Sequence, residues 1–207
     1  REQSEYCMFL EFCEDDEKGL GYTTFKPRRA GVSSIEIMFN WWKVFLYDNA
    51  KFGMMSLSNT KVKEVLFEPF LEVYEKFPAY LKPKSEKLKT SIKLSDGTEG
   101  EEVDMIGNLI KAIALSQTGF DGLKMRHITI DEVWKILNKI DTYALIETQK
   151  KCLIDKFTGK VVGKLGLIST LGEDDKLMAK AIKTAMYYWE KSNYENLNEF
   201  GKTETKL

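Results

Sequence analysis

Residues 21–33 read Gly21-Tyr22-Thr23-Thr24-Phe25-Lys26-Pro27-Arg28-Arg29-Ala30-Gly31-Val32-Ser33. Residue types that favour strands lead into a turn with three cations and a glycine. A long apolar stretch without Gly or Pro follows, so the order strand, loop, helix is predicted. Backbone N–H groups at a helix N-terminus are unpaired, and the helix dipole adds positive potential there. Segment 26–33, called the phosphate loop below, therefore has the anatomy of a phosphate-binding turn; an ordinary basic surface turn is the alternative.

The phosphate loop departs from the standard Walker A pattern G-x-x-x-x-G-K-[ST] at two positions. Lys26 stands in place of the first glycine, and Val32 stands in place of the lysine. Gly31 lets the backbone approach a phosphate without a Cβ clash, and Ser33 occupies the position of the hydroxyl that ligates Mg²⁺. Lys26, at the start of the loop, still supplies a positive side chain for a triphosphate.

Strands alternate with helices along the rest of the chain, which predicts an α/β fold with a largely parallel sheet. Asn59 is the predicted cap of a helix that Pro69 should kink or divide, because proline lacks the N–H that a helix interior needs. The pair Asp96-Gly97 is typical of a tight hairpin turn. The predicted strands are 21–25, 52–58, 91–94, 127–130 and 164–168; the predicted helices are 3–14, 34–49, 59 onward, 133 onward and 175–191; and 110–115 fits either state.

Two adjacent carboxylates follow the apolar run His127-Ile128-Thr129-Ile130. Asp131 suits a Mg²⁺ ligand, and Glu132 suits the group that orients and deprotonates an attacking water, which together indicate a nucleotide-hydrolysis site. The alternative is that both acids only decorate the first turn of a helix, where the dipole favours them.

A third candidate segment is Gly166-Leu167-Ile168-Ser169-Thr170-Leu171-Gly172-Glu173. Its buried strand ends in two hydroxyls and a glycine, which can lie near a γ-phosphate; a turn with a helix cap is the alternative. All three segments stand at the carboxyl ends of predicted strands, where ligands bind in open α/β sheets. Their joint order therefore favours a nucleotide site.

Composition limits the other function classes. The 207 residues carry 31 Lys and Arg against 32 Asp and Glu, a formal net charge of −1, so any nucleic-acid contact must come from a local patch. Three cysteines without paired spacing and a single histidine exclude a zinc cluster. No run of about eighteen apolar residues is present, so no membrane span is predicted.

For several other residues, a structural role is predicted in preference to a functional one. His127 is predicted to be a satisfied or edge-strand imidazole, and Trp41 and Trp42 are predicted to pack their helix on the sheet rather than stack on bases. A basic stretch is predicted to be solvated surface, with contact to a DNA backbone or a neighbouring subunit as the alternative. Its lysines are Lys82, Lys84, Lys87, Lys89 and Lys93.

The phosphate loop resembles the deviant Walker A of tailed-phage large terminase subunits, in which the basic residue stands at the front of the loop. The run 118–132 is similar to that family's approach to Walker B, and Ser169-Thr170-Leu171-Gly172-Glu173 is similar to its coupling motif. The Arg-Arg-Ala-Gly-Val-Ser part of the loop is closest to terminases of crAss-like phages. The resemblance covers most of residues 20–175.

The resemblance implies a P-loop NTPase of the additional-strand class, with a mainly parallel central sheet and helices on both faces. It implies an ATPase motor that uses ATP and Mg²⁺, with Glu132 as the catalytic base and Ser33 and Asp131 as the Mg²⁺ ligands. Coupling of hydrolysis to motion would fall to Ser169, Thr170 and Gly172. Lys26 would contact the β- and γ-phosphates, and Arg28 or Arg29 would reach the γ-phosphate. The implied nucleotide-binding residues are Lys26, Pro27, Arg28, Arg29, Ala30, Gly31, Val32 and Ser33.

The resemblance also implies partners and a setting. Members assemble as a homo-oligomeric ring with the portal protein and the small terminase subunit, and they pump double-stranded DNA into a procapsid in the host cytoplasm, without a membrane. Nothing after residue 173 looks like the family's C-terminal nuclease, so residues 1–207 are expected to be a single terminase-like ATPase domain, a fragment without the nuclease.

The family's adenine-recognition glutamine, which precedes the phosphate loop, has no evident counterpart in this sequence. Gln3 is the single glutamine before Lys26 and therefore the single candidate. Another P-loop DNA motor, such as a helicase core, and a degenerate nucleotide-binding scaffold module are the alternatives to the terminase interpretation. Val32 at the usual lysine position is the best support for the degenerate scaffold.

Overall fold

The computed structural model describes residues 2–17, 19–47, 49–80, 87–93, 99–105, 108–136, 141–170 and 183. Helix α1 (Glu2–Asp15) and strand β1 (Gly21–Lys26) open the chain, and helix α2 (Val32–Leu46) follows the phosphate loop. The remaining elements, in chain order, are β2 (Lys51–Ser56), α3 (Asn59–Val62), a π-helical segment (Lys63–Phe67), α4 (Glu68–Lys76), β3 (Lys87–Lys93), β4 (Glu99–Met105), β5 (Asn108–Ala114), β6 (His127–Asp131), a 3-10 turn (Val133–Ile136), α5 (Thr142–Leu153) and β7 (Lys164–Thr170).

A seven-stranded sheet has the strand order β1-β7-β6-β2-β5-β4-β3. The first five strands in this order are parallel to one another, whereas β4 pairs antiparallel with both β5 and β3. Strand β7 lies between β1, which leads into the phosphate loop, and β6, which leads into the two carboxylates. It is the additional strand of the predicted class. The predicted fold class is therefore confirmed.

Helices pack on both faces of the sheet, because side chains of the central strands alternate between two cores. On β2, Phe52 and Met54 belong to the core that includes Trp41 of α2, whereas Met55 belongs to the core that includes Leu145 of α5. Strands β6 and β7 are buried along their whole length, as is typical of parallel strands covered on both faces. The loops after β1, β6 and β7 consequently meet at the carboxyl edge of the sheet.

The helix after β2 is capped by a different residue from the one predicted. The Ser58 side chain caps α3 by accepting the N–H of Lys61 at 3.3 Å, whereas Asn59 accepts the backbone N–H of Ala114 at 2.8 Å. Either residue type makes a good cap, so the choice depends on the tertiary contact with β5. The predicted division of the helix is confirmed, since Pro69 lies in the first turn of α4, after the π-helical segment.

Other local predictions have mixed outcomes. The ambiguous segment 110–115 falls in strand β5 for all but its last residue, and a short 3-10 turn follows Glu132 where a helix was predicted. No sequence pattern predicted β4 or the start of α5 at Thr142. The turn at Asp96-Gly97, the predicted helix 175–191 apart from residue 183, and two lysines of the basic stretch lie outside the described residues. None of the described helices is long and apolar enough to cross a membrane.

The adjacent tryptophans of α2 have opposite environments. Trp41 is buried, its indole Nε1 donates to the Phe70 carbonyl at 2.7 Å, and its ring stacks on those of Phe70, Tyr74 and Phe77 with centroids 5.2–6.0 Å apart. Trp42 is 60% exposed, so its predicted packing on the sheet is wrong. Consecutive helical residues point about 100° apart, and only one of the two can face the sheet.

A charged cluster lies at the amino edge of the sheet, where β6 begins. Lys43 Nζ lies 2.5 Å from Glu14 Oε2 and 2.8 Å from His127 Nδ1. Arg126 donates to Glu14 Oε1 at 3.1 Å, and its guanidinium lies over the Tyr47 ring, 4.2 Å from the centroid. The residues Glu14, Lys43, Arg126 and His127, called the amino-edge cluster below, join α1 to α2 and β6.

Burial controls the protonation of the amino-edge cluster. It lowers the pKa of Lys43 to about 8, although the Glu14 carboxylate opposes that shift. Burial and the charges of Lys43 and Arg126 hold the pKa of His127 well below its usual value, so the imidazole is neutral and accepts at Nδ1. The satisfied-imidazole prediction is correct for that nitrogen, whereas Nε2 has no hydrogen-bond partner among the described residues. The edge-strand alternative is wrong, because β6 is a central strand.

Candidate nucleotide site

The phosphate loop ends at a helix N-terminus that no described side chain caps. Gly31 is the N-cap of α2 with a φ of 74°, and no acidic residue stands in the first turn. A side chain is disfavoured at Gly31 for two reasons: its φ is left-handed, and a Cβ would lie 3.0 Å from Gln3 Nε2. The unpaired N–H groups of the first turn and the helix dipole favour an anion at this end of α2.

Lys26, the last residue of β1, connects the phosphate loop to strand β6. Its Nζ lies 2.5 Å from Ser33 Oγ and 3.2 Å from Asp131 Oδ1. The side chains of Lys26 and Asp131 are only 11% and 4% exposed, so solvent screens their ion pair weakly. The structure therefore brings Asp131 of β6 together with Lys26 and Ser33 of the phosphate loop, from which it is distant in sequence.

Asp131 lies in an environment that disfavours its charge unless a cation is present. Burial raises its pKa, the Lys26 ammonium acts in the opposite direction, and the adjacent Glu132 carboxylate raises the pKa further. A buried carboxylate of this kind gains stability from a nearby cation, which is Lys26 in this structure.

Glu132 lies directly beyond β6 in a strained backbone conformation. Its φ is 59°, in the left-handed region that costs a non-glycine residue about 1–2 kcal/mol. The Glu132 N–H donates to the Ile168 carbonyl at 2.7 Å, and the Glu132 carbonyl accepts the N–H of Lys135 at 3.1 Å. Strand β7 and the 3-10 turn thus hold this residue in place, as is typical of residues at functional sites.

The Glu132 carboxylate is held by the end of β7. Thr170 Oγ1 donates to Oε2 at 3.0 Å, Ser169 Oγ donates to the same oxygen at 3.3 Å, and Lys135 Nζ lies 2.8 Å from it. Burial disfavours the ionised form, but the hydrogen bonds from Lys135 and Thr170 outweigh burial and lower the pKa of Glu132. The group is therefore ionised at neutral pH and able to accept a proton.

Ser33 and Asp131 fit a Mg²⁺ site by the chemistry of their donor atoms. Hydroxyl and carboxylate oxygens are hard ligands, and Mg²⁺ is commonly held by one or two carboxylates together with substrate phosphates. The Lys26 ammonium contacts both oxygens, so the pair already accommodates a cation. Within the described parts of the chain, no group of three or more His, Cys, Asp and Glu residues is placed to hold a metal ion.

The other predicted loop residues differ in exposure. The side chains of Pro27, Arg28 and Arg29 are exposed, and Ala30 and Val32 are half-buried. Both arginines thus stand on the open side of the loop, where they add positive charge. The predicted coupling residue Gly172 lies outside the described residues.

Lys135, beside the site, was not assigned to it from the sequence, whereas Gln3 was the single candidate for an adenine contact. Lys135 stands three residues after Glu132, a spacing that brings side chains together in a helical turn, so the pattern contained a usable signal. Gln3 lies beside Gly31 although it belongs to α1. Only the tertiary docking of α1 places it there, and no local pattern indicates that docking.

Comparisons with known proteins identify similar structures. No protein-family model matches the sequence, and no curated protein matches it. The large terminase of a thermophilic bacteriophage is similar in structure, with a TM-score of 0.53 and 11% identity, covering 82% of this chain and 38% of that chain. Its complex with ADP gives a TM-score of 0.53 and 13% identity, covering 82% and 38%. Its complex with ATP-γ-S gives 0.50 and 12%, covering 82% and 37%.

The likeness is one of fold, since identity is only 11–13% and the chain spans 38% or less of the terminase's length. The shared architecture is the five-stranded parallel sheet with helices on both faces. This chain therefore has the P-loop NTPase fold of phage large terminase ATPase domains.

Proposed function

We propose that this chain is a Mg²⁺-dependent ATP hydrolase, the motor domain of a phage large terminase. The observation that carries the proposal is the contact of Lys26 with both Ser33 and Asp131, with Glu132 held one residue beyond. An ordinary basic surface turn does not require its first lysine to reach a buried carboxylate two strands away. The fold adds support, because the similar terminase is seen with ADP and with ATP-γ-S.

The phosphates of ATP would bind at the N-terminus of α2. The backbone N–H groups of its first turn and the Lys26 ammonium would hold the β- and γ-phosphates, and the exposed Arg28 and Arg29 add positive charge. On binding, Lys26 exchanges Asp131 for a phosphate, which leaves Ser33 and Asp131 to hold Mg²⁺. The metal would neutralise charge that develops on the phosphate oxygens. Gln3, beside Gly31, is the candidate for an adenine contact.

Glu132 would act as the general base. Its carboxylate is ionised at neutral pH and would accept the proton of the water that attacks the γ-phosphate. A positioned base contributes about 10²–10⁴-fold to the rate. Lys26 and the loop arginines would stabilise the charge of the transferred group, the electrostatic contribution that dominates phosphoryl transfer.

Ser169 and Thr170 would couple hydrolysis to motion. Both hydroxyls donate to the Glu132 carboxylate, so a movement of either hydroxyl would change the position and the basicity of the proposed base. Strand β7 also pairs with β1 and β6, the two strands that lead into the site. A shift of β7 would thereby reach all parts of the site, and Gly172 would follow as the third coupling residue.

The finer parts of the proposal depend on the resemblance of the sequence motifs. Residues 1–207 would form one ATPase domain that assembles as a ring on the portal protein with the small terminase subunit. The ring would drive double-stranded DNA into a procapsid in the host cytoplasm. The closer likeness to crAss-like phage terminases belongs to this part of the proposal.

The test is ATP turnover with Mg²⁺ and duplex DNA in the wild type and in Glu132→Gln. Turnover falls about 10²–10³-fold in the variant. Nucleotide affinity is retained, because the amide oxygen still accepts from Thr170. The control is Glu64→Gln, which neutralises an exposed carboxylate on the helical stretch after β2 and leaves turnover unchanged.

Three outcomes would contradict parts of the proposal. Turnover of Glu132→Gln within a few-fold of the wild type removes Glu132 from the role of base. Absence of any affinity for Mg²⁺-ATP in the wild type favours the degenerate scaffold. Separation of duplex strands during turnover favours a helicase core over a packaging motor.

A further inference from the structure

The turn after α5 presents a phenylalanine to solvent. Phe157 is 99% exposed, more than any other large apolar side chain in the described chain. A single exposed apolar residue is ordinary on a protein surface and has no meaning by itself. Its significance here comes from the bonds that hold the turn and from the charges around it.

Both carboxylate oxygens of Asp155 hold the turn. Oδ1 accepts the backbone N–H groups of Phe157 and Thr158, each at 3.0 Å, and Oδ2 accepts Lys124 Nζ at 2.7 Å. The Asp155 N–H donates to the Lys160 carbonyl at 2.9 Å and closes the segment. Residues 155–160, called the Phe157 turn below, therefore fix the backbone beneath the ring, which lowers the entropic cost of a contact by that ring.

The surroundings of Phe157 are positively charged. Within residues 155–160 the one acid is Asp155, and its carboxylate is already paired with Lys124. The exposed lysines in and beside the turn are Lys124, Lys151, Lys156 and Lys160. A positive patch thus exists on a chain whose net charge is −1.

The combination of lysines and an aromatic ring favours nucleic acid over an acidic protein partner. Lysine is depleted in protein–protein interfaces. In contrast, lysine contacts with phosphates provide most non-specific binding to DNA. An apolar ring among such cations is how proteins contact bases or wedge between base steps.

We infer that the Phe157 turn is a contact surface for duplex DNA, in which Lys156 and Lys160 bind backbone phosphates and the Phe157 ring contacts the bases. The inference rests on the proposed function for the identity of the polymer. It assigns to this chain a contact element that lies outside the nucleotide site.

The Phe157 turn and the nucleotide site lie at opposite ends of β7. The turn leads into Lys164 at the amino end of the strand, and Thr170, which contacts Glu132, ends it. Seven strand residues span about 20 Å. Changes in the turn therefore leave the nucleotide contacts intact, and thermal stabilisation by Mg²⁺ and an ATP analogue controls for folding in every variant.

The experiment measures binding of the 207-residue chain to a fluorescein-labelled duplex by anisotropy, between about 50 and 200 mM salt. Phe157→Ala weakens binding about tenfold without changing the salt dependence, because it removes a contact to bases. The double variant Lys156→Gln/Lys160→Gln lowers the slope of log affinity against log salt by about 2, since two phosphate contacts are lost.

Matched controls carry the same changes elsewhere. Phe12→Ala removes a phenylalanine that is 73% exposed on α1, and Lys61→Gln/Lys76→Gln removes two charges on other helices. Both controls keep wild-type affinity and slope. Losses in the controls that equal those in the turn variants overturn the inference, because binding then reflects total charge.

Three further outcomes overturn the inference. If both turn variants bind the duplex with wild-type affinity, the DNA-binding surface lies elsewhere on the chain, and the proposed function is not affected. Equal binding of poly-glutamate and duplex, with no effect of Phe157→Ala, indicates a surface for acidic proteins. No duplex binding by the wild type at low salt excludes the contact, and the ATP turnover experiment then decides the hydrolase proposal separately.

Discussion

The two ends of strand β6 both gather charged groups, but they do so in different ways. At the amino end, Lys43 is 1% exposed, and its ammonium contacts Glu14 and His127 from elements packed around it. At the carboxyl end, the Lys26 ammonium contacts Ser33 and Asp131 beside an exposed loop. The same strand therefore joins a closed charge cluster to one that borders solvent.

This contrast separates charges that stabilise the fold from charges that a bound ligand can replace. In the amino-edge cluster, each charged group relies on the others, so removal of one leaves a buried charge without compensation. At the carboxyl edge, the proposed function has phosphates and Mg²⁺ take over the contacts that Lys26 makes. Equivalent substitutions at the two ends should therefore have opposite consequences for stability and for ligand binding.

The largest expected effect is on stability at the amino end. Glu14→Gln lowers the free energy of unfolding by about 3 kcal/mol, because it leaves the Lys43 and Arg126 cations without their shared carboxylate. Adding Lys43→Met recovers about 1 kcal/mol, since the buried cation is then absent. The measurement is equilibrium denaturation of the single and double variants.

Glu11→Gln is the control, because Glu11 is exposed on the same helix and its loss changes stability by less than about 0.5 kcal/mol. If the losses of unfolding free energy in Glu14→Gln and Lys43→Met add up in the double variant, Glu14 and Lys43 act independently, which would contradict this prediction.

A smaller effect concerns pH at the same end. The folded-state pKa of His127 lies well below the unfolded value, so below about pH 6.5 the unfolded chain binds a proton that the folded chain does not. Stability from this group falls as pH falls, by up to about 1.4 kcal/mol per pH unit. Because the chain has one histidine, its ring NMR signal reports the group directly.

That signal shows no midpoint near pH 6.5, where a free imidazole titrates. A change towards pH 8 reports the adjacent Lys43 ammonium, whose pKa is lowered to about 8. A midpoint near 6.5 would contradict the burial and the neighbouring positive charges that the structure gives to His127.

The smallest expected effect on stability is at the carboxyl end. Asp131→Asn lowers the free energy of unfolding by only about 1 kcal/mol, because the Lys26 cation that loses its partner is 11% exposed beside an open loop, whereas Lys43 is 1% exposed. The same substitution removes the Mg²⁺-dependent part of stabilisation by an ATP analogue. Thermal denaturation with and without Mg²⁺ measures both quantities. A loss as large as that of Glu14→Gln would remove the contrast between the two ends.

The sequence predicted the carboxyl end better than the amino end. The loop 26–33, the pair Asp131-Glu132 and the hydroxyls Ser169 and Thr170 each follow a strand, and parallel strands end at one edge, so their meeting followed from local patterns. Their chemical roles stay predictions. The fold class was predicted for the same reason, because strands alternating with helices give a parallel sheet.

The amino-edge cluster was not predictable from local patterns. Arg126 and His127 contact Glu14, Lys43 and Tyr47, which are far away in sequence, and no periodicity encodes these pairs. The prediction for Trp42 was wrong because two adjacent tryptophans in a helix do not reveal which of them faces the sheet. The packing of α1 and of α2 on the rest of the chain decides these contacts, and only the folded chain shows it.

The most direct measurement of the central claim is thermal stabilisation by Mg²⁺ and a non-hydrolysable ATP analogue in the wild type and in Lys26→Ala. Ligand at a hundred times its dissociation constant adds about 2.7 kcal/mol, which raises the melting temperature by a few degrees. Phosphate binding by Lys26 predicts this shift in the wild type and in the exposed-lysine control Lys61→Ala, and its loss in Lys26→Ala. An equal shift in Lys26→Ala, or none in the wild type, would contradict nucleotide binding on this loop.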